Sequence, residues 1–245
     1  MKGPLSLIGT AWAYARKQPS LTGVTLWLLL VPGAIVNIGT TLLEWNSDAG
    51  AGTLAPEQHA TLTLLLIVIL VVVAVIMVWG GACVTVIGRK LVHSRAGRKR
   101  SSIRAIMQEA RVFIIPLLLT SILRSCFALL WSLLFVIPGI IYSIRTAFYA
   151  IVIVTEDMAY RSALKRSSAL VRGHTWQVLW RLAAILIVLY LPVNVISMLL
   201  YTLTEATLGI AGTLGVDILD AALNAPMTML SILASMAMYD ELKKA

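Results

Sequence analysis

The chain has 245 residues, of which 59% are hydrophobic and 13% charged, with a formal net charge of +9 and a mean hydropathy of +0.90. A water-soluble domain carries roughly twice that charged fraction. Here the apolar residues also come in uninterrupted blocks, with no charge between Leu21 and Leu43 or between Leu62 and Ile87. Blocks of that length cross membranes, so composition excludes a soluble globular protein and leaves one integral membrane domain over residues 1–245, an all-α polytopic bundle.

The first predicted element is an amphipathic helix over 3–18, with Leu5, Ile8, Trp12 and Ala15 on one face and Lys2, Arg16 and Lys17 at its ends. No cleavage pattern follows, so the next apolar run is read as a mature span. Six spans are expected, at about 21–43, 61–88, 112–136, 139–156, 176–200 and 213–238. A second amphipathic helix is expected over 101–111, capped by Ser101-Ser102, with Ile103, Ile106, Met107 and Ala110 at i, i+3, i+4, i+7 spacing. A third is expected over 157–173 with Asp157 as its N-cap. Arg161, Lys165 and Arg172 form a basic stripe on it, and Ala159, Ala163, Ser167 and Leu170 a small, weakly apolar one. Two readings of this third helix stand side by side. It rests on headgroups with its basic chains snorkelling, or its small residues let another helix approach closely.

Each amphipathic helix precedes a pair of spans, and Val31-Pro32-Gly33-Ala34-Ile35 recurs as Ile137-Pro138-Gly139-Ile140-Ile141, with an echo at Leu191-Pro192-Val193. The pattern suggests three related units.

The connections sort by charge. Residues 44–60 contain Glu44, Asp48 and Glu57 without Lys or Arg, and 201–212 contain Glu205 alone. By contrast, 89–111 carries eight basic residues, among them Arg98, Lys99 and Arg100, and 157–181 adds Arg161, Lys165, Arg166, Arg172 and Arg181. Lys and Arg gather on the cytoplasmic side of short loops, which places both termini, the 89–111 connection and the 157–173 helix on the cytoplasmic face of the membrane. The same basic residues Arg98, Lys99, Arg100, Arg161, Lys165 and Arg172 form the face expected to meet anionic lipid headgroups or a partner. A membrane-protein partner or a second copy is a candidate, and nucleic acid is not expected.

Polar residues inside the spans give the sharpest functional hint. Arg124 lies in the third span and Arg145 in the fourth, while Asp217, Asp220 and Asn224 share one face of the sixth. At about 1.5 Å per residue, Arg145 lies roughly 9 Å from the outer end, Asp217 roughly 6 Å and Asp220 roughly 10 Å, with Arg124 and Asn224 roughly 18 and 16 Å down. Matching depths predict that Arg145 pairs with Asp217 or Asp220 and that Arg124 reaches Asp220 or Asn224. Such a cluster serves either as a structural clasp or as a transport or proton site. Asn37 and Asn194 each follow a proline within a span and are candidates to bond the backbone groups it frees.

Enzymatic signals are missing. Gly80-Gly81 is not followed by the Lys-Ser/Thr of a phosphate loop, and no Gly-x-Ser-x-Gly elbow occurs. His59, His93 and His174 have no cysteine or carboxylate at ligand spacing. Cys83 and Cys126 read as small apolar packing residues. No catalytic residues, metal site or cofactor are expected.

One stretch resembles a known family. Ile137-Pro138-Gly139-Ile140-Ile141, Arg145, Glu156-Asp157, Ala163-Leu164-Lys165-Arg166-Ser167 and Leu170-Val171-Arg172-Gly173-His174-Thr175-Trp176 are similar to the membrane-domain superfamily named after glycerophosphodiester phosphodiesterases, which includes many bacterial multi-pass proteins. The resemblance implies a multi-pass module of a bacterial cytoplasmic (inner) membrane that is sometimes joined to a separate phosphodiesterase domain. This chain contains no such domain, so the enzymatic activity is not implied. The expected function is a non-catalytic scaffold, accessory subunit or lipid-organising module. The alternative is a transporter of a small solute, ion or lipid using the Arg/Asp cluster.

Overall fold

The computed structural model describes residues 3–53, 56–93 and 102–244. Among them every regular element is helical: α1 (Pro4–Lys17), α2 (Pro19–Val24), a π-helical turn (Thr25–Leu30), α3 (Val31–Thr53), α4 (Pro56–His93), α5 (Ile103–Arg111), α6 (Ile114–Leu134), α7 (Val136–Arg145), α8 (Tyr149–Glu156), α9 (Tyr160–Val171) and α10 (Thr175–Lys244). Apolar runs fold this way because a helix satisfies its own backbone hydrogen bonds where no water can. Six segments are long and apolar enough to cross a membrane: Pro19–Glu44, Ala60–Leu91, Ile114–Leu134, Val136–Glu156, Thr175–Glu205 and Thr207–Lys244. The last two run on as α10, which kinks near their junction at Gly209, whose φ of 57° and ψ of −146° are not helical.

The expected repeat does not map onto equivalent places. Pro32 follows the π-turn in the first span, Pro138 sits in the first turn of α7, and Pro192 lies inside α10. Each position has its own reason. Pro32 has no N–H for the Leu28 carbonyl, and the π-turn just before it absorbs the mismatch. The second span closes on that carbonyl at Gly80, where a Cβ would lie 2.6 Å from the Leu28 oxygen. The hairpin between α6 and α7 turns at Phe135, in extended conformation, so the fourth span begins at 136 rather than 139. Pro138 costs little in the first turn of a helix. Gly139 then permits contact with α6, since a Cβ there would collide with Ser132.

The tightest core gathers at one end of the bundle. Val84, Val86 and Ile87 of the second span meet Val152, Ile153 and Val154 of α8, with Leu233, Met236 and Tyr239 of the sixth span. Arg89 donates to the Val154 carbonyl at 2.7 Å and Lys243 to Glu156 at 3.1 Å, which brings the ends of the second, fourth and sixth spans together. α1 packs on α10 through Leu7 and Ala11, both fully buried, whereas Leu5 and Trp12 are exposed. The expected apolar face is thus divided: Ile8 and Ala15 are half-buried against the core, and Leu5 and Trp12 face outward. α5 seats Ile106 and Ala110 as expected, and Trp79 donates to the Met107 carbonyl at 3.2 Å. Ser102 occupies its N-cap without a side-chain cap bond. Away from this core, Leu64, Val68 and Val71 of the second span and, apart from Ser132, the residues from Leu129 to Ile137 of the hairpin tip are exposed and apolar, a surface that suits hydrocarbon.

Candidate functional site

The polar residues singled out in the spans fall into two separate groups. In the sixth span, spacing of i, i+3, i+7 puts Asp217, Asp220 and Asn224 on one helical face. Two residues one turn apart on the fifth span meet them. The Ser197 hydroxyl donates to Asp220 Oδ1 at 2.5 Å, and the Tyr201 hydroxyl donates to Asp217 Oδ1 at 2.5 Å. From the first span, Asn37 Nδ2 donates to Asp220 Oδ2 at 3.1 Å and to the Asp217 carbonyl at 3.2 Å. Asn224 Nδ2 donates to the Asp220 carbonyl at 3.1 Å. Asp217 is only 2% exposed, and its Oδ2 has no hydrogen-bond partner. A cavity of about 270 Å³ adjoins this group, lined in part by Asn37, Tyr190, Asp220, Asn224 and Thr228.

Arg124 and Arg145 lie elsewhere. Arg124 Nε donates to Thr146 Oγ1 at 2.9 Å and Nη2 to the Ser143 carbonyl at 3.0 Å, with the guanidinium carbon 5.4 Å from the Tyr149 ring centre. These acceptors belong to a break in the fourth span, where residues 146–148 leave the helix between α7 and α8. The freed carbonyls and amides need partners inside a membrane. Arg124 supplies some. Ser167 of α9 supplies others, donating to the Arg145 carbonyl at 3.0 Å and accepting from the Phe148 amide at 3.2 Å. The Arg145 side chain is exposed, so this residue contributes its backbone.

The expected pairings of Arg145 with Asp217 or Asp220, and of Arg124 with Asp220 or Asn224, are therefore corrected: neither arginine meets the aspartates. Depth along a span does not report which spans adjoin. The main neighbours of α10 are α1, α3 and α4, while α6 packs on α7, α9 and α4. Asn194 bonds the Tyr190 carbonyl at 2.8 Å, one turn back on its own helix.

α9 resolves the two readings of the third amphipathic helix. Ala163, Leu164, Ser167 and Val171 are buried, packed against α6, α7 and α8, and the Tyr160 amide donates to Thr120 Oγ1 of α6 at 2.9 Å. The small residues do allow close approach. α9 begins at Tyr160, not at 157, and its N-cap is Ala159. Asp157 instead ends α8 in the left-handed conformation, φ 51°. Arg161, Lys165 and Arg172 stay on the exposed face. Arg161 stands 5.8 Å from the Phe127 ring centre, and a groove of about 270 Å³ is walled by Phe127, Trp131, Tyr142 and Thr146 on the hairpin and by Arg161, Leu164, Lys165 and Ser168 on α9. Arg98, Lys99 and Arg100 lie outside the described residues.

Glu156 is the residue whose importance sequence reasoning missed. Arg166 holds it with two bonds, Nε to Oε2 at 2.7 Å and Nη2 to Oε1 at 3.1 Å, a bidentate and therefore strong arrangement. The Tyr239 hydroxyl donates to Oε1 at 2.7 Å and Lys243 to the same oxygen at 3.1 Å. Hydrogen bonding to Glu156, followed by its negative charge, raises the Arg166 pKa above its ordinary value. Glu109 does similar work nearby, bridging Arg89 at 2.8 Å and Lys90 at 2.5 Å. The available signal was their sign: each is a carboxylate in a strongly basic surrounding sequence. Comparison of the chain with family models, with curated proteins and with solved structures gives no match.

Proposed function

We propose that this protein is a non-catalytic, lipid-organising module of a bacterial cytoplasmic membrane, with both termini in the cytoplasm, which seats an anionic phospholipid headgroup between α9 and the α6–α7 hairpin. The observation that carries the reading is the groove where the exposed cations Arg161 and Lys165 face the aromatic wall of Phe127, Trp131 and Tyr142. Guanidinium and ammonium groups bind a phosphodiester by charge-assisted hydrogen bonds, Ser168 adds a hydroxyl, and aromatic side chains suit the boundary between headgroup and hydrocarbon. Beyond the groove, the apolar exposed tip of the hairpin offers a surface for acyl chains. The segregation of Lys and Arg to one set of connections supports the cytoplasmic orientation. The stretch that resembles the phosphodiesterase-linked membrane domains includes α7 and α9, two walls of the groove, and membership in that superfamily belongs to the same proposal.

Native mass spectrometry of the protein extracted in a mild detergent tests this reading. Phosphatidylglycerol is expected to stay bound where phosphatidylethanolamine is stripped, and Arg161→Ala with Lys165→Ala is expected to reduce its occupancy at least fivefold. Equal retention of both lipids, or an unchanged occupancy in the double variant, overturns it.

A further inference from the structure

We propose that the carboxylate group of the sixth span is a binding site for an alkali-metal cation, with sodium as the representative ion. The proposal is independent of the headgroup groove, which lies on other helices.

Two carboxylates one turn apart lie in the membrane-spanning part of the bundle, and among the described residues every side chain that bonds them is a neutral donor: Ser197, Tyr201 and Asn37. Carboxylates in such surroundings are normally matched by a cation or by further hydrogen bonds. Neither Arg124 nor Arg145 supplies it, since the first bonds the break in the fourth span and the second is exposed there. Asp217 is almost fully buried, yet its Oδ2 has no partner at all. Among the described residues no cation stands against either carboxylate.

The cavity against Asp220, one turn along the helix from Asp217, has the chemistry to receive a cation. Its walls bring one carboxylate together with Asn37, Asn224, Tyr190 and Thr228 in about 270 Å³. The amide nitrogens of Asn37 and Asn224 are already engaged as donors, which leaves their carbonyl oxygens as acceptors for a ligand. Carboxylate, amide-carbonyl and hydroxyl oxygens are the donor set of hard cations. A single carboxylate on the wall, with otherwise neutral oxygens, suits a monovalent ion better than a divalent one, which collects more carboxylates. The connections 44–60 and 201–212, joined to this end of the first, fifth and sixth spans, contain acidic residues and no Lys or Arg. That field concentrates cations. Sequence spacing does not reveal such a site, because its oxygens come from three spans and include no histidine or cysteine.

Thermal unfolding in an uncharged detergent tests the inference, with sodium chloride replacing choline chloride at constant ionic strength. The wild-type protein is expected to gain about 3–6 °C in Tm, saturably, and Asp220→Asn to lose that gain. No sodium-dependent gain in the wild type, a gain of equal size in Asp220→Asn, or a response to calcium chloride in place of sodium overturns the proposal. Should Asp220→Asn fail to fold, equilibrium binding of radioactive sodium to the wild type decides. About one ion per chain that unlabelled sodium displaces and choline does not is the expected result, and no bound ion overturns it.

Discussion

The two ends of the bundle satisfy their carboxylates in opposite ways. At one end, Glu156 is held by Arg166, Lys243 and Tyr239, and Glu109 by Arg89 and Lys90. At the other, among the described residues, Asp217 and Asp220 receive only hydroxyl and amide donors, and one carboxylate oxygen receives none. The first arrangement closes on itself: charge is neutralised by the chain, and α8, α9 and the C-terminal turn are fastened together. The second leaves charge unmatched beside a cavity. A closed ion-pair network reads as structure, and an open one reads as a place for a ligand.

The contrast makes graded predictions for thermal or denaturant unfolding in detergent. Glu156→Ala is expected to cost the most, about 3 kcal/mol, because Arg166, Lys243 and Tyr239 lose their acceptor together. Asp220→Ala, measured without sodium, is expected to cost about 2 kcal/mol, since Ser197 and Asn37 lose an acceptor but no cation is stranded. A larger loss at Asp220 than at Glu156 would break the comparison. Ser167→Ala is expected to cost about 1 kcal/mol by leaving the Arg145 carbonyl and the Phe148 amide without a partner at the break, and hydrogen exchange at Phe148 should quicken. The smallest effect is expected for Asp217→Asn in the same sodium-free buffer, within about 0.5 kcal/mol of wild type. Its amide can keep the bond from Tyr201 and removes an unmatched charge.

How much of this was legible follows from what sequence encodes along one dimension. The six spans, the short helices α1, α5 and α9 and the separation of charge come directly from apolar runs and the placement of Lys and Arg. Lateral order does not. Arg124, Arg145, Asp217 and Asp220 were placed at compatible depths, but nothing in depth says that α6 adjoins α9 and not α10. The break in the fourth span was equally hidden, because Thr146-Ala147-Phe148 contains neither proline nor glycine. Its stabilising hydroxyl, Ser167, was visible only as a small residue at four-residue spacing. The small stripe on α9 did point to close packing, and the rival reading of a helix lying wholly on headgroups yields to Ala163 and Ser167, both fully buried. The basic stripe was read correctly as exposed, and the groove it forms with Phe127 and Trp131 required the hairpin to be folded beside it.

The most direct test of the headgroup site is photo-crosslinking from position 168, which lines the groove, in vesicles that mix phosphatidylglycerol and phosphatidylethanolamine in equal amounts. A photoreactive residue in place of Ser168 is expected to capture mainly phosphatidylglycerol, and Arg161→Ala with Lys165→Ala to abolish that preference. Capture of the two lipids in proportion to their abundance, with the arginine and lysine intact, would contradict the headgroup site.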